Sequence, residues 1–215
     1  MATLIKQELF KMFKKKSSII IPILIFILMV GLAILSKNYP NIMGSESLFK
    51  QGYSSFSWIF FLMIIQASTI ITMEFHYGTI KNLLYRNYSR TSIIISKIIS
   101  LVIYSLIIFA ISIVISLILN LTLFSDVDIL KQSGDNISLL QDMLLTALGN
   151  YIGMWLLLSL TLLISCIFKS PGVSIAIGII FYFAISIISG ILFALITQWE
   201  WLKWLPINML NLSSQ

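Results

Sequence analysis

The chain has 215 residues, of which 59% are hydrophobic and only 10% charged, with a mean hydropathy of +1.01 and a formal charge of +6. A soluble domain carries about 25% charged residues, so this deficit excludes a water-facing globule and points to an all-α polytopic membrane protein. A single cysteine, Cys166, excludes a disulfide framework, and a single histidine, His76, excludes most histidine-ligated metals; no cofactor is expected.

Residues 2–16 read as a basic amphipathic helix. At helical spacing Ile5, Leu9, Met12 and Phe13 share one face, and Gln7, Lys11, Lys14 and Lys15 share the other. Such a helix lies flat at a membrane interface with its lysines against anionic lipid headgroups. The long charged region, with no clean small-x-small site after the apolar run, disfavours a cleaved signal peptide.

Five transmembrane helices follow. Ile19 to Ser36 is the first, with Pro22 in its opening turn, where a missing N–H costs little. A polar connector leads to the second, Phe56 to Met73, which is interrupted by Gln66, Ser68 and Thr69. Glu74 to Lys97 is a polar loop, written EFHYGTIKNLLYRNYSRTSIIISK. Ile98 to Phe124 is the third span, at about 40 Å longer than a hydrocarbon core. The fourth runs from Met143 to Phe168, a turn at 169–172 follows, and the fifth is Val173 to Thr197. The tail, 198–215, is aromatic and then polar.

Lys and Arg set the orientation. The N-terminus, the 74–97 loop and Lys169 collect ten basic residues, and the alternate side has the other four, Lys37, Lys50, Lys131 and Lys203. Most acidic residues fall on the poorer side, so the N-terminus and the 74–97 loop are expected in the cytoplasm. Trp58, Trp155, Trp199, Trp201 and Trp204 fall near the expected outer ends of spans. The charge is therefore a topology signal, and no nucleic-acid partner is expected. The abundance of lysine and isoleucine suggests an AT-rich genome, hence a bacterial cell membrane.

No GxxxxGK[ST], HExxH or CxxC motif is present, and no Asp, Glu, Lys, Arg or His lies at depth in an expected span. An enzyme and an ion-coupled pump are both disfavoured, so any energy must come from another protein. Ser105, Ser112, Ser116 and Asn120 share one face of the third span. With Gln66 of the second, Ser112, Ser116 and Asn120 are candidates for a substrate path. The preferred reading is that such groups bond their own helix or glue helices together. Gly149-xxx-Gly153 and the Ser186, Gly190, Ala194 series would permit close helix packing, either within the chain or between subunits.

The 74–97 loop admits two readings. Its charges could simply mark the membrane surface. Alternatively Phe75, Ile80, Leu83 and Leu84 form the apolar stripe of a short docking helix with Lys81 and Arg86 off it, and Ser89 or Thr91 caps the next helix.

A basic N-terminal helix, a Glu closing the second span, GTIKNLL after it and SRT opening the third resemble the membrane subunit of an ABC-2 type exporter, over the whole chain and most sharply from Glu74 to Lys97. The resemblance implies a single transmembrane domain over 1–215 that pairs with a second permease subunit, as a homo- or heterodimer, and binds separate ABC ATPase subunits. It implies a coupling helix seated on the ATPase, with docking roles for Glu74, Gly78, Thr79, Lys81, Asn82, Leu83, Leu84, Arg86 and Arg90. Small permeases of this kind resemble those of bacteriocin immunity and of peptide or lipid export. The family often has a proline before its Ser-Arg pair, where this chain has Asn87 and Tyr88. It also has a sixth span preceded by outer re-entrant helices. The 198–215 tail, with Pro206, resembles the re-entrant part, and the sixth span is absent. The expectation is that the chain is shorter than the natural product or departs from the family there. The alternative, from another class, is a non-transporting membrane scaffold or assembly factor.

Overall fold

A computed structural model describes residues 2–40, 44–78, 89–124, 132–133 and 137–196. Its helices are α1 (Ala2–Lys14), α2 (Lys16–Asn38), α3 (Ser45–Lys50), α4 (Ser55–His76), α5 (Arg90–Leu123), α6 (Leu139–Phe168) and α7 (Pro171–Ile196). Between α5 and α6, β1 (Gln132–Ser133) pairs antiparallel with β2 (Ile137–Ser138). Five of the described helices, α2, α4, α5, α6 and α7, are long and apolar enough to cross a membrane. The 198–215 tail lies outside the described residues.

Helix ends follow local chemistry. Ser89 caps α5: its Oγ accepts the Ser92 N–H at 3.2 Å, satisfying one of the orphan donors of the first turn. Ser138 and Gln141 cap α6 reciprocally, the Ser138 N–H donating to Gln141 Oε1 at 3.1 Å and the Gln141 N–H to Ser138 Oγ at 3.3 Å. Pro171 opens α7, where its fixed φ suits the first helical position. Gly78, at φ +65°, ends α4 in the left-handed conformation that only glycine adopts without penalty.

Both α5 and α2 begin ahead of their expected apolar spans. α5 starts at Arg90, directly after the Ser89 cap expected from the sequence, so the helix runs two turns ahead of the apolar span at Ile98 and Lys97 lies inside it. α2 starts at Lys16, which puts Pro22 inside the helix and not in its opening turn. Proline lacks the N–H that would bond the carbonyl four residues back, here that of Ser18. That carbonyl is used instead by the Tyr104 hydroxyl, which donates to it at 2.9 Å.

The chain divides into two compact units. The first comprises residues 1–22, 61–108 and 156–184. Its centre includes Leu62, Met63, Ala67, Leu101 and Tyr104, all with negligible exposure. Gly178 of α7 belongs to it: a Cβ there would lie 2.7 Å from Ile64 Cγ2 and 3.3 Å from Thr161 Cγ2. At Gly190, by contrast, a Cβ would meet nothing within 4 Å.

The second unit comprises residues 23–60, 109–155 and 185–215. Stacked and edge-on rings dominate its interior: Phe56 lies on Phe109 at 5.7 Å, and Phe109 meets Tyr151 edge-on at 5.1 Å. Lys50 at the end of α3 pairs with Asp142 at 2.6 Å. Between α3 and α4, Gly52, Tyr53 and Ser54 have φ of +56°, +49° and +62°. For the two non-glycine residues this costs roughly 1–2 kcal/mol each.

Candidate functional site at the flanks of the α4–α5 connection

Glu74 sits in the last turn of α4 and Lys97 in the second turn of α5. Their charged atoms, Glu74 Oε1 and Lys97 Nζ, are 2.7 Å apart. Lys97 Nζ also donates to Glu8 Oε2 of α1 at 2.9 Å and to the Ile70 carbonyl at 3.1 Å. Two of the three ammonium donors are thus engaged in hydrogen bonds, and Glu74 is held as a close ion pair. Lys11, one turn after Glu8, closes the group at 2.6 Å from Glu8 Oε1 and 3.5 Å from Glu74 Oε1. Two carboxylates and two ammonium groups thus join α1, α4 and α5 with zero net charge.

Burial makes the pairing obligatory. Side-chain exposure is 5% for Lys97, 6% for Glu8 and 10% for Glu74, against 55% for Lys11. Removing such charges from water costs several kcal/mol per ion, and only close pairing with satisfied hydrogen bonds offsets it. Burial alone would raise the Glu8 pKa, but Lys97 and Lys11 together hold it below the ordinary value of 4.5. Burial opposes the charge on Lys11 as well, yet its bonds to Glu8 and the nearby Glu74 hold its pKa above 10.5. Glu74 alone would be misplaced at a helix C-terminus, where carbonyl dipoles repel a carboxylate. Lys97 and Lys11 compensate.

Further polar groups of the first unit extend the cluster. Lys15, in the break between α1 and α2, donates to Thr69 Oγ1 at 2.6 Å, and burial lowers its pKa. Gln66 Nε2 donates to Ser18 Oγ at 2.8 Å. Ser100 Oγ bonds the Ser96 carbonyl at 2.8 Å and reaches that of Ile5 at 3.4 Å. Lys169, left-handed at φ +52°, sets its ammonium 5.7 Å from the centre of the Phe75 ring. The hydrophilic residues of α4 therefore fasten α1 and the α1–α2 junction to the α4 face.

The anticipated docking residues divide. Glu74 is buried in the ion cluster, and Gly78 is exposed and terminates α4. Arg90 is the first residue of α5. Thr79, Lys81, Asn82, Leu83, Leu84 and Arg86 lie outside the described residues. Of the candidate path, Gln66 belongs to the first unit and is committed to Ser18; Ser112, Ser116 and Asn120 belong to the second and are all buried. Ser112 bonds its own helix at the Phe109 carbonyl, at 2.8 Å.

Glu8, Lys11 and Lys97 carry the cluster, yet the sequence reading assigned them only to surface and topology roles. One signal was available. Leu4, Glu8 and Met12 recur at four-residue spacing and form the buried stripe of α1, while Phe10 and Phe13 are exposed. An acid on an apolar stripe of a lysine-rich helix calls for a buried cationic partner.

Among curated proteins and solved structures, no match to the chain is found. A family model does match, over residues 1–215, and the chain belongs to that family, DUF2705, described as a protein of unknown function.

Proposed function

We propose that the chain is the permease subunit of an ATP-binding cassette transporter, receiving force through the segment between α4 and α5. The observation that carries this reading is the ion cluster at both flanks of that segment. A push on residues 79–88 would arrive at Glu74 and Lys97, which are paired with each other, Lys97 holding Glu8 as well. It would move α1, α4 and α5 together, because separating them would strand buried charges.

In this reading α1 lies at the cytoplasmic membrane interface of a bacterial cell. Its exposed Phe10 and Phe13 enter the lipid boundary, and Lys6 and Lys14 face anionic headgroups. A separate ATPase supplies the energy, a second permease subunit completes the pathway, and the substrate is hydrophobic or amphipathic: a peptide, a bacteriocin or a lipid. Docking falls to the 79–88 segment and Arg90. Glu74 and Gly78 act indirectly, as anchor and helix stop.

The test is affinity purification from the native membrane in mild detergent, using the wild-type chain and a Lys81→Ala, Arg86→Ala double variant. An ATPase with Walker motifs should accompany the wild type and be depleted from the variant. Equal recovery would remove the docking role of the segment. Recovery of no ATPase at all would leave the scaffold reading, in which the same cluster simply fixes α1.

A further inference from the structure

The second unit buries polar groups that find no protein partner. Tyr53, at 0% exposure, is held by Phe49 edge-on at 6.4 Å and by Phe124 stacked at 6.5 Å. Its hydroxyl lies beside the Asn120 side chain, yet neither Tyr53 Oη nor Asn120 Oδ1 has a partner in hydrogen-bond geometry. Ser116, one turn before Asn120 on the same face of α5, is also fully buried with an unpartnered Oγ. Buried hydroxyls and amides in native proteins are almost always paired, so three orphans on adjoining positions call for an occupant.

The backbone points the same way. Tyr53 and Ser54 both hold positive φ, and Gly52 before them has no room for a side chain: a Cβ there would lie 2.8 Å from the Phe56 ring. This strained turn is what delivers the Tyr53 hydroxyl to the Asn120 face of α5. Strain retained at a buried polar group is characteristic of a binding position.

We infer that Tyr53, Ser116 and Asn120 form a binding site for a neutral hydrogen-bonding group, a hydroxyl, an amide or water. Two hydroxyls that donate or accept and one amide oxygen that accepts suit a group carrying both functions. None of the three side chains is charged, so the site offers nothing to balance an ion. The inference stands on this geometry alone and does not require the permease reading. Loss of the ATPase partner would leave it untouched.

The test uses the full chain in detergent micelles and two variants that delete one hydroxyl each with little change in shape, Tyr53→Phe and Ser116→Ala. An occupied site loses hydrogen bonds, so each variant should melt lower by about 2–4 °C. An unchanged or higher melting temperature overturns the proposal, because deleting an orphan buried hydroxyl relieves a cost. A further arm separates the occupants. If water fills the site, native mass spectrometry of the wild type should show no retained mass and the melting losses stand without one. If an organic molecule fills it, native mass spectrometry of the wild type should show a retained mass that Tyr53→Phe loses.

Discussion

Lys97 and Glu8 stand 89 residues apart in the chain, yet their charged atoms are 2.9 Å apart and almost sealed from solvent. Lys97 holds Glu74 at the same time, so it is the hub of the cluster. Replacing Lys97 by Met leaves two buried carboxylates sharing only the half-exposed Lys11. The expected cost is about 3–5 kcal/mol. Glu8→Gln removes one carboxylate while Lys97 keeps Glu74, and should cost clearly less. The Glu8→Gln, Lys97→Met double variant should be less damaged than the sum of the two, since one stranded carboxylate is gone. Thermal unfolding in micelles measures all three, and equal single effects with strict additivity would contradict the hub role.

The same cluster sets a pH dependence. Glu8 has a lowered pKa, so its contribution is fully present above its ordinary value of 4.5 and is lost as pH falls through the lowered value. Lys11 has a raised pKa, so its contribution is present below 10.5 and is lost as pH rises through the raised value. The attachment of α1 should therefore be flat across neutral pH and loosen at both extremes. Limited proteolysis of the α1–α2 junction against pH reads this directly. Glu8→Gln should remove most of the acid-side change and leave the α1 attachment weaker at neutral pH.

How much of this was legible follows from which forces are local. The five spans are readable because hydrocarbon excludes charge, and long uncharged runs record that exclusion residue by residue. That Lys97 lies inside α5 was hidden for the converse reason. A lysine in a run is normally a stop signal, but Lys97 is neutralised by Glu8 and Glu74, and pairing across the chain leaves no mark in a local window. Glu8 was hidden in the same way. The polar residues of α4 were visible as an interruption, while Ser18, the partner that explains Gln66, is an unremarkable hydroxyl 48 residues earlier. The tight contact made by Gly178 was not legible either, because no spacing rule singles it out.

Gly178 offers a packing test with an internal control. Alanine there must displace Ile64, whose branched methyl would be 2.7 Å from the new Cβ. Overpacking of this kind costs about 1–3 kcal/mol, more than the gain of roughly 0.5–1 kcal/mol from replacing glycine in a helix. Gly190→Ala meets no atom within 4 Å and keeps only the gain. Gly178→Ala should therefore unfold at lower temperature than the wild type, and Gly190→Ala at the same or higher temperature. A matching stabilisation in both would mean that α7 does not approach Ile64 this closely.

Pro22 and Tyr104 should be coupled although they lie on different helices. Pro22 cannot donate to the Ser18 carbonyl, so within the membrane-spanning part of α2 that acceptor depends on the Tyr104 hydroxyl. Tyr104→Phe alone should cost about 1–2 kcal/mol by stranding a buried carbonyl. In a Pro22→Ala background the new N–H can satisfy Ser18 from within the helix, and Tyr104→Phe should then cost markedly less. The double-mutant cycle should give a coupling of at least about 0.5 kcal/mol. A Tyr104→Phe cost that is the same in both backgrounds would mean that the hydroxyl does not substitute for the missing helical bond.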